Sequence, residues 1–124
     1  MTKTQQNQAI RAIQKFATIT CYFIDPNPNN PVGYCAMGAM AKATGVSDAI
    51  LHLANNNGGM QVWHYVCQRV FNQYGMTERQ CDYLVALNNK EPNTIVRQQK
   101  LTEYLLSLPL EPEPVKPQLA MAYD

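Results

Sequence analysis

Apolar positions along this chain recur mostly at three- and four-residue steps, the spacing that gathers side chains on one face of an α-helix. The pattern is clearest over residues 60–74. There Trp63, Val66, Cys67, Val70, Phe71 and Tyr74 make one stripe, with Gln61, Gln68, Arg69 and Gln73 on the other faces. The same spacing predicts a first helix over residues 4–22, with Ala9, Ile13, Phe16, Ala17 and Thr20 facing inward. Its end is weakened by the β-prone residues 18–20 and 22–24.

Proline and glycine punctuate the rest of the chain. Asp25-Pro-Asn-Pro-Asn-Asn-Pro-Val-Gly33 holds three prolines and is expected to be a loop. The next stretch, from Gly33 to Gly45, is rich in small and apolar residues and reads as a short buried helix. Gly38 and Ala39 remove bulk there, so that another helix, the Trp63 one, can approach closely. Gly45 ends that helix, and Ser47 caps a third with Asp48 in its first turn and Ile50, Leu51, Leu53 and Ala54 apolar. Asn55-Asn-Asn-Gly-Gly59 stops it. Gly75 closes the fourth helix, and Thr77-Glu-Arg-Gln80 opens a fifth as a capping box, with Met76 and Cys81 placed as a hydrophobic staple. Pro92-Asn93 starts the last helix, whose inner face is Leu101, Tyr104, Leu105 and Leu108.

The expected fold is therefore all-α: five or six short helices around a single core spanning residues 1–108. Residues 109–124 form an irregular Pro-rich tail that favours polyproline II.

Composition adjusts this picture little. The chain has 124 residues, enough for one domain, and 46% are hydrophobic, as in globular proteins. Only 15% are charged while Asn and Gln are abundant, so solubility is expected to rest on amides. A net charge of +1 argues against strong attachment to nucleic acid or an anionic membrane. No apolar run approaches the ~20 residues that span a bilayer, and the N-terminal residues lack the apolar region of a secretory signal. A cytoplasmic protein with reduced thiols is expected.

Candidate chemistry is sparse. Cys21, Cys35, Cys67 and Cys81 lack the tight pairs that structural zinc sites use, and neither His52 nor His64 completes a local ligand set; no metal or cofactor is expected. Cys35 lies near a predicted helix N-terminus, a position that activates thiols, but no His-bearing strand comes after it, so packing is its default role. Glu78 and Asp82 share one helix face and read as cap and solvated surface. Residues 77–108 loosely resemble a helix-turn-helix, with Arg97, Gln98 and Lys100 as candidate DNA contacts.

Residues 34–40, Tyr-Cys-Ala-Met-Gly-Ala-Met, together with the later Leu87-Asn88-Asn89, resemble small bacterial and phage-encoded domains that carry a Tyr/Trp-Cys-x-x-Gly-Ala-Leu helix. This chain has Met40 where those have Leu, and Asn89 where they have Asp. The resemblance implies an all-helical fold and a phage or mobile-element origin, and it implies no activity.

The leading expectation is a non-enzymatic protein–protein interaction module, such as a virion component or a modifier of a host complex. Its expected partner contacts are Asp25, Asn27, Asn29 and Asn30 in the loop and Leu110, Val115 and Tyr123 in the tail. The alternative is a DNA-binding regulator using residues 77–108; an enzyme built on Cys35 comes third.

Overall fold

The computed structural model describes residues 1–27, 33–55 and 60–114. These residues form six helices: α1 (Lys3–Phe16), α2 (Ala36–Ala43), α3 (Asp48–Asn55), α4 (Met60–Tyr74), α5 (Glu78–Lys90) and α6 (Thr94–Ser107). The only bridge among them is a single parallel pair, Ala17 with Tyr34. The all-α expectation holds.

α1 lies at the centre, packed against α2, α6 and α4. Its Ala9, Ala12 and Ile13 are buried, and the small alanines let α2 come close. α2 is buried through Met37, Gly38, Ala39, Met40 and Ala41 and rests on α1, α4 and α5. α4 and α5, joined by the turn at Gly75 and Met76, make few contacts with each other although both pack on α2.

The local signals explain most helix ends. Thr2 accepts from the Gln5 amide at 3.1 Å while Gln5 returns a bond to the Thr2 amide, and Thr77 with Gln80 repeats the device on α5. Asn93 caps α6. Ser47 accepts from the Ile50 amide at 3.2 Å. Gly45 (φ 101°) and Gly75 (φ 61°) take left-handed conformations after α2 and α4. Met76 and Cys81 are both buried, as a staple requires.

Three expectations change. α1 stops at Phe16 rather than near residue 22. Beyond it the β-prone residues leave the helix as an irregular segment, bent over residues 20–24: Thr18 and Ile19 donate to the Tyr34 carbonyl, Cys35 donates to Tyr22, and Asp25 donates to Gly33 at 2.8 Å, closing the neck of the proline loop. The bulk omitted at Gly38 admits this irregular segment and not α4. A Cβ built at Gly38 would lie 1.7 Å from the Phe23 carbonyl oxygen. Trp63, placed by periodicity in the buried stripe, is 41% exposed, and Leu53 is exposed as well. α4 buries Val66, Cys67, Val70 and Tyr74, while the gap towards α5 leaves Trp63 at an edge.

Side-chain amides hold the structure together where composition assigned them to solubility. Asn88 is buried, accepts from the Ala36 amide at 3.2 Å and donates to the Ile19 carbonyl at 3.1 Å. Asn89 accepts from the Cys21 amide, and Asn55 accepts from the Phe23 amide and donates to the Ile24 carbonyl. Gln6, also buried, donates to the Leu105 carbonyl at 2.8 Å. Each satisfies main-chain groups that no sheet partner reaches.

Candidate functional site

The gap between α4 and α5 is a cavity of about 250 Å³. α4 supplies Trp63, Cys67 and Phe71 to it, and α5 supplies Glu78, Cys81, Asp82, Val85 and Asn89. Cys35 and Met37 come from the start of α2, and Cys21 and Phe23 from the irregular segment after α1. All four cysteines of the chain therefore line one cavity. Their separation in sequence hid this. That segment and α2 are held together by long-range bonds from side-chain amides that leave no short-range spacing behind.

Three of the thiols, Cys35, Cys67 and Cys81, are held neutral. Burial pushes Cys35 up to about 11, against the opposing pull of the backbone amides of Gly38 and Met37 and its own. Its sulfur caps α2 by accepting from the Gly38 amide at 3.4 Å. Cys67 is raised to about 11 by burial and then by the charges of Asp82 and Glu78. Burial, followed by Cys67 and Asp82, raises Cys81 to about 12. A helix start lowers a thiol pKa only where the site is otherwise polar, and here desolvation wins. These three sulfurs act as small apolar surface. Cys21 differs: it is exposed and sits at φ 71°, a left-handed conformation fixed by its amide bond to Asn89.

The cavity is thus an apolar well with a polar edge. Phe23, Met37, Phe71 and Val85 join the three buried thiols, and the exposed Trp63 stands at the mouth, its ring edge-on to His64 at 5.4 Å. Glu78 and Asp82 are exposed and lie one helical turn apart on α5. Among the described residues no group of three or more His, Cys, Asp or Glu side chains is arranged to hold a metal ion.

The other residues singled out in the sequence are scattered. Arg97 is buried: its Nε donates to the Glu91 carbonyl at 2.8 Å and a terminal nitrogen donates to Pro92, so the guanidinium closes the C-terminal end of α5. Its Nη1 has no hydrogen-bond partner. Gln98 donates to the Ile13 and Ala17 carbonyls at the end of α1, and Lys100 is paired with Glu91 at 3.1 Å. The three candidate DNA contacts are thus occupied within the fold, Arg97 inside it and the other two in bonds across it.

In the proline loop, Asp25 accepts from the Asn27 amide at 2.9 Å. Asn29 and Asn30 lie outside the described residues, as do Val115 and Tyr123. Leu110 is exposed beside a tail segment that folds back on α1: Glu111 donates to the Met1 carbonyl, and the Glu113 carboxylate accepts from the amide and hydroxyl of Thr4. Among the described residues, no helix is long and apolar enough to cross a membrane. No family model, curated protein or solved structure matches the chain.

Proposed function

We propose that this protein is a non-enzymatic binding module whose recognition site is the well between α4 and α5, filled by one apolar side chain of a protein partner. The observation that carries the reading is the well itself, apolar at its floor, open to solvent and edged by Trp63. Its size supports a side chain as occupant. A cavity of ~150 Å³ accepts benzene, and drug-sized ligands use about 300 Å³ or more, so about 250 Å³ suits one large side chain. Aromatic residues at a pocket edge are frequent anchors of protein interfaces. The raised thiols favour binding over nucleophilic chemistry at Cys35.

A photo-crosslinking residue at the exposed position 64, beside Trp63, used in the cells that make the protein, tests the reading. The expected result is a cross-linked protein that disappears when the well is filled by Val85→Trp in the same chain. Cross-links that survive filling the well, or their absence in the unfilled protein, would overturn it.

A further inference from the structure

The edge of the well is not neutral. Glu78 and Asp82 stand on the same side of α5, with Cβ atoms about 6 Å apart as one turn dictates, and both line the cavity. Neither carboxylate has an ion-pair partner among the described residues, where the pairs formed are Lys42 with Asp48 and Lys100 with Glu91. What sets these two apart is their place: both lie one turn apart at the edge of an apolar hole. Their charges reach its floor, since both raise the Cys67 thiol.

An apolar occupant brought against two unpaired carboxylates strips water from them without replacement, which opposes binding. An occupant that carries a cation beside its apolar group restores the lost solvation. We infer that the well selects a partner segment of mixed apolar and basic character: an aromatic or aliphatic side chain enters between α4 and α5, and a neighbouring Lys or Arg of the same segment pairs with Glu78 and Asp82. This rests on the reading of the well as a protein-binding site and adds the charge its partner must carry. An acidic or purely apolar segment is disfavoured by the same two carboxylates.

The test is selection of a random short-peptide library on the full chain, then fluorescence polarisation with the enriched peptides synthesised and labelled. Enriched sequences are expected to place Lys or Arg next to an aromatic or aliphatic residue. Glu78→Gln with Asp82→Asn should weaken them roughly five- to ten-fold, the size expected for two exposed ion pairs, and added salt should mimic the double substitution. Both positions are exposed, so circular dichroism is expected to show an unchanged fold. Val85→Trp, or Trp63→Ala should that variant fail to fold, must abolish binding.

Peptides that carry no cation, ignore the double substitution and yet are lost on filling the well would overturn this inference and leave the site intact. Peptides indifferent to the filled well, or a chain that covers Trp63 by pairing with a second copy of itself, would overturn both.

Discussion

Two regions of this helical domain are finished in opposite ways. Residues 1–6 are tied in by polar groups: Thr2 and Gln5 form a capping box, Gln5 donates to Gln73, Gln6 to Leu105, and Glu113 arrives from the tail to cap Thr4. Between α4 and α5, which part over α2, the chain leaves a cavity instead. The first region spends its polar groups on closure. The second keeps apolar groups and two exposed carboxylates around the well. Interiors are normally packed to near-crystalline density, so an apolar well in so small a domain is the feature on which the proposed function rests.

Alkaline pH should have the largest effect, acting through the buried thiols of the well and through the Tyr74 hydroxyl, which burial raises to about 12. The folded-state values of Cys35, Cys67 and Cys81 lie above the ordinary thiol value of 9, at about 11 to 12. The native protein therefore holds protons that the unfolded chain has released, and stability falls as pH rises through that interval. Thermal melting should be level below about pH 9 and decline steeply towards 11, and Cys67→Ala should shift the decline to higher pH. A midpoint indifferent to alkali would mean that the thiols are not buried as described.

Gly38→Ala comes next. Its Cβ meets backbone, which no rotamer change relieves, and the cost should be about 3 kcal/mol or more, a fall in Tm on the order of 10 °C. Around residues 1–6, Gln6→Ala takes the shorter of two hydrogen bonds from the Leu105 carbonyl, which keeps the 3.3 Å bond from the Leu108 amide, and should cost about 1.5 kcal/mol by urea denaturation. Thr2→Ala removes a cap for about 1 kcal/mol. Smallest is Val85→Leu, which enlarges a side chain beside empty space and should change stability by less than about 0.5 kcal/mol. A penalty there as large as that of Gln6→Ala would erase the contrast. Iodoacetamide sharpens it in a different measure: in the native state Cys21 should react while the three buried thiols are spared, as intact-mass spectrometry would show.

What the sequence made legible was whatever short-range rules encode. The Thr77 capping box, the Ser47 cap, the two helix-ending glycines and the staple at Met76 and Cys81 all lie within five residues of their partners, while the equally local box of Thr2 and Gln5 went unread. The buried stripe of α4 was also legible, except at Trp63. Periodicity reports which face a residue occupies but not whether a neighbour covers it, and α5 diverges before it reaches Trp63. The well was invisible for a related reason. Cys21, Cys35, Cys67 and Cys81 meet only because Asn55, Asn88 and Asn89 pin the irregular segment after α1. Arg97 misled in the opposite sense, since a positive charge on a helix reads as surface until the carbonyls at the end of α5 are seen to require it.

Those three asparagines have a consequence for how the protein ages. Asn88 and Asn55 each accept from one main-chain amide and donate to one main-chain carbonyl, a dual role that only a carboxamide of that length fulfils. Hydrolysis of either side chain to aspartate leaves its shape almost unchanged and turns the donor into a second acceptor, aimed at a carbonyl oxygen. Asparagine is among the residues that heat damages first. The irregular segment beside the well is therefore fastened by thermolabile side chains, and their hydrolysis should loosen the well before it unravels the helices around α1.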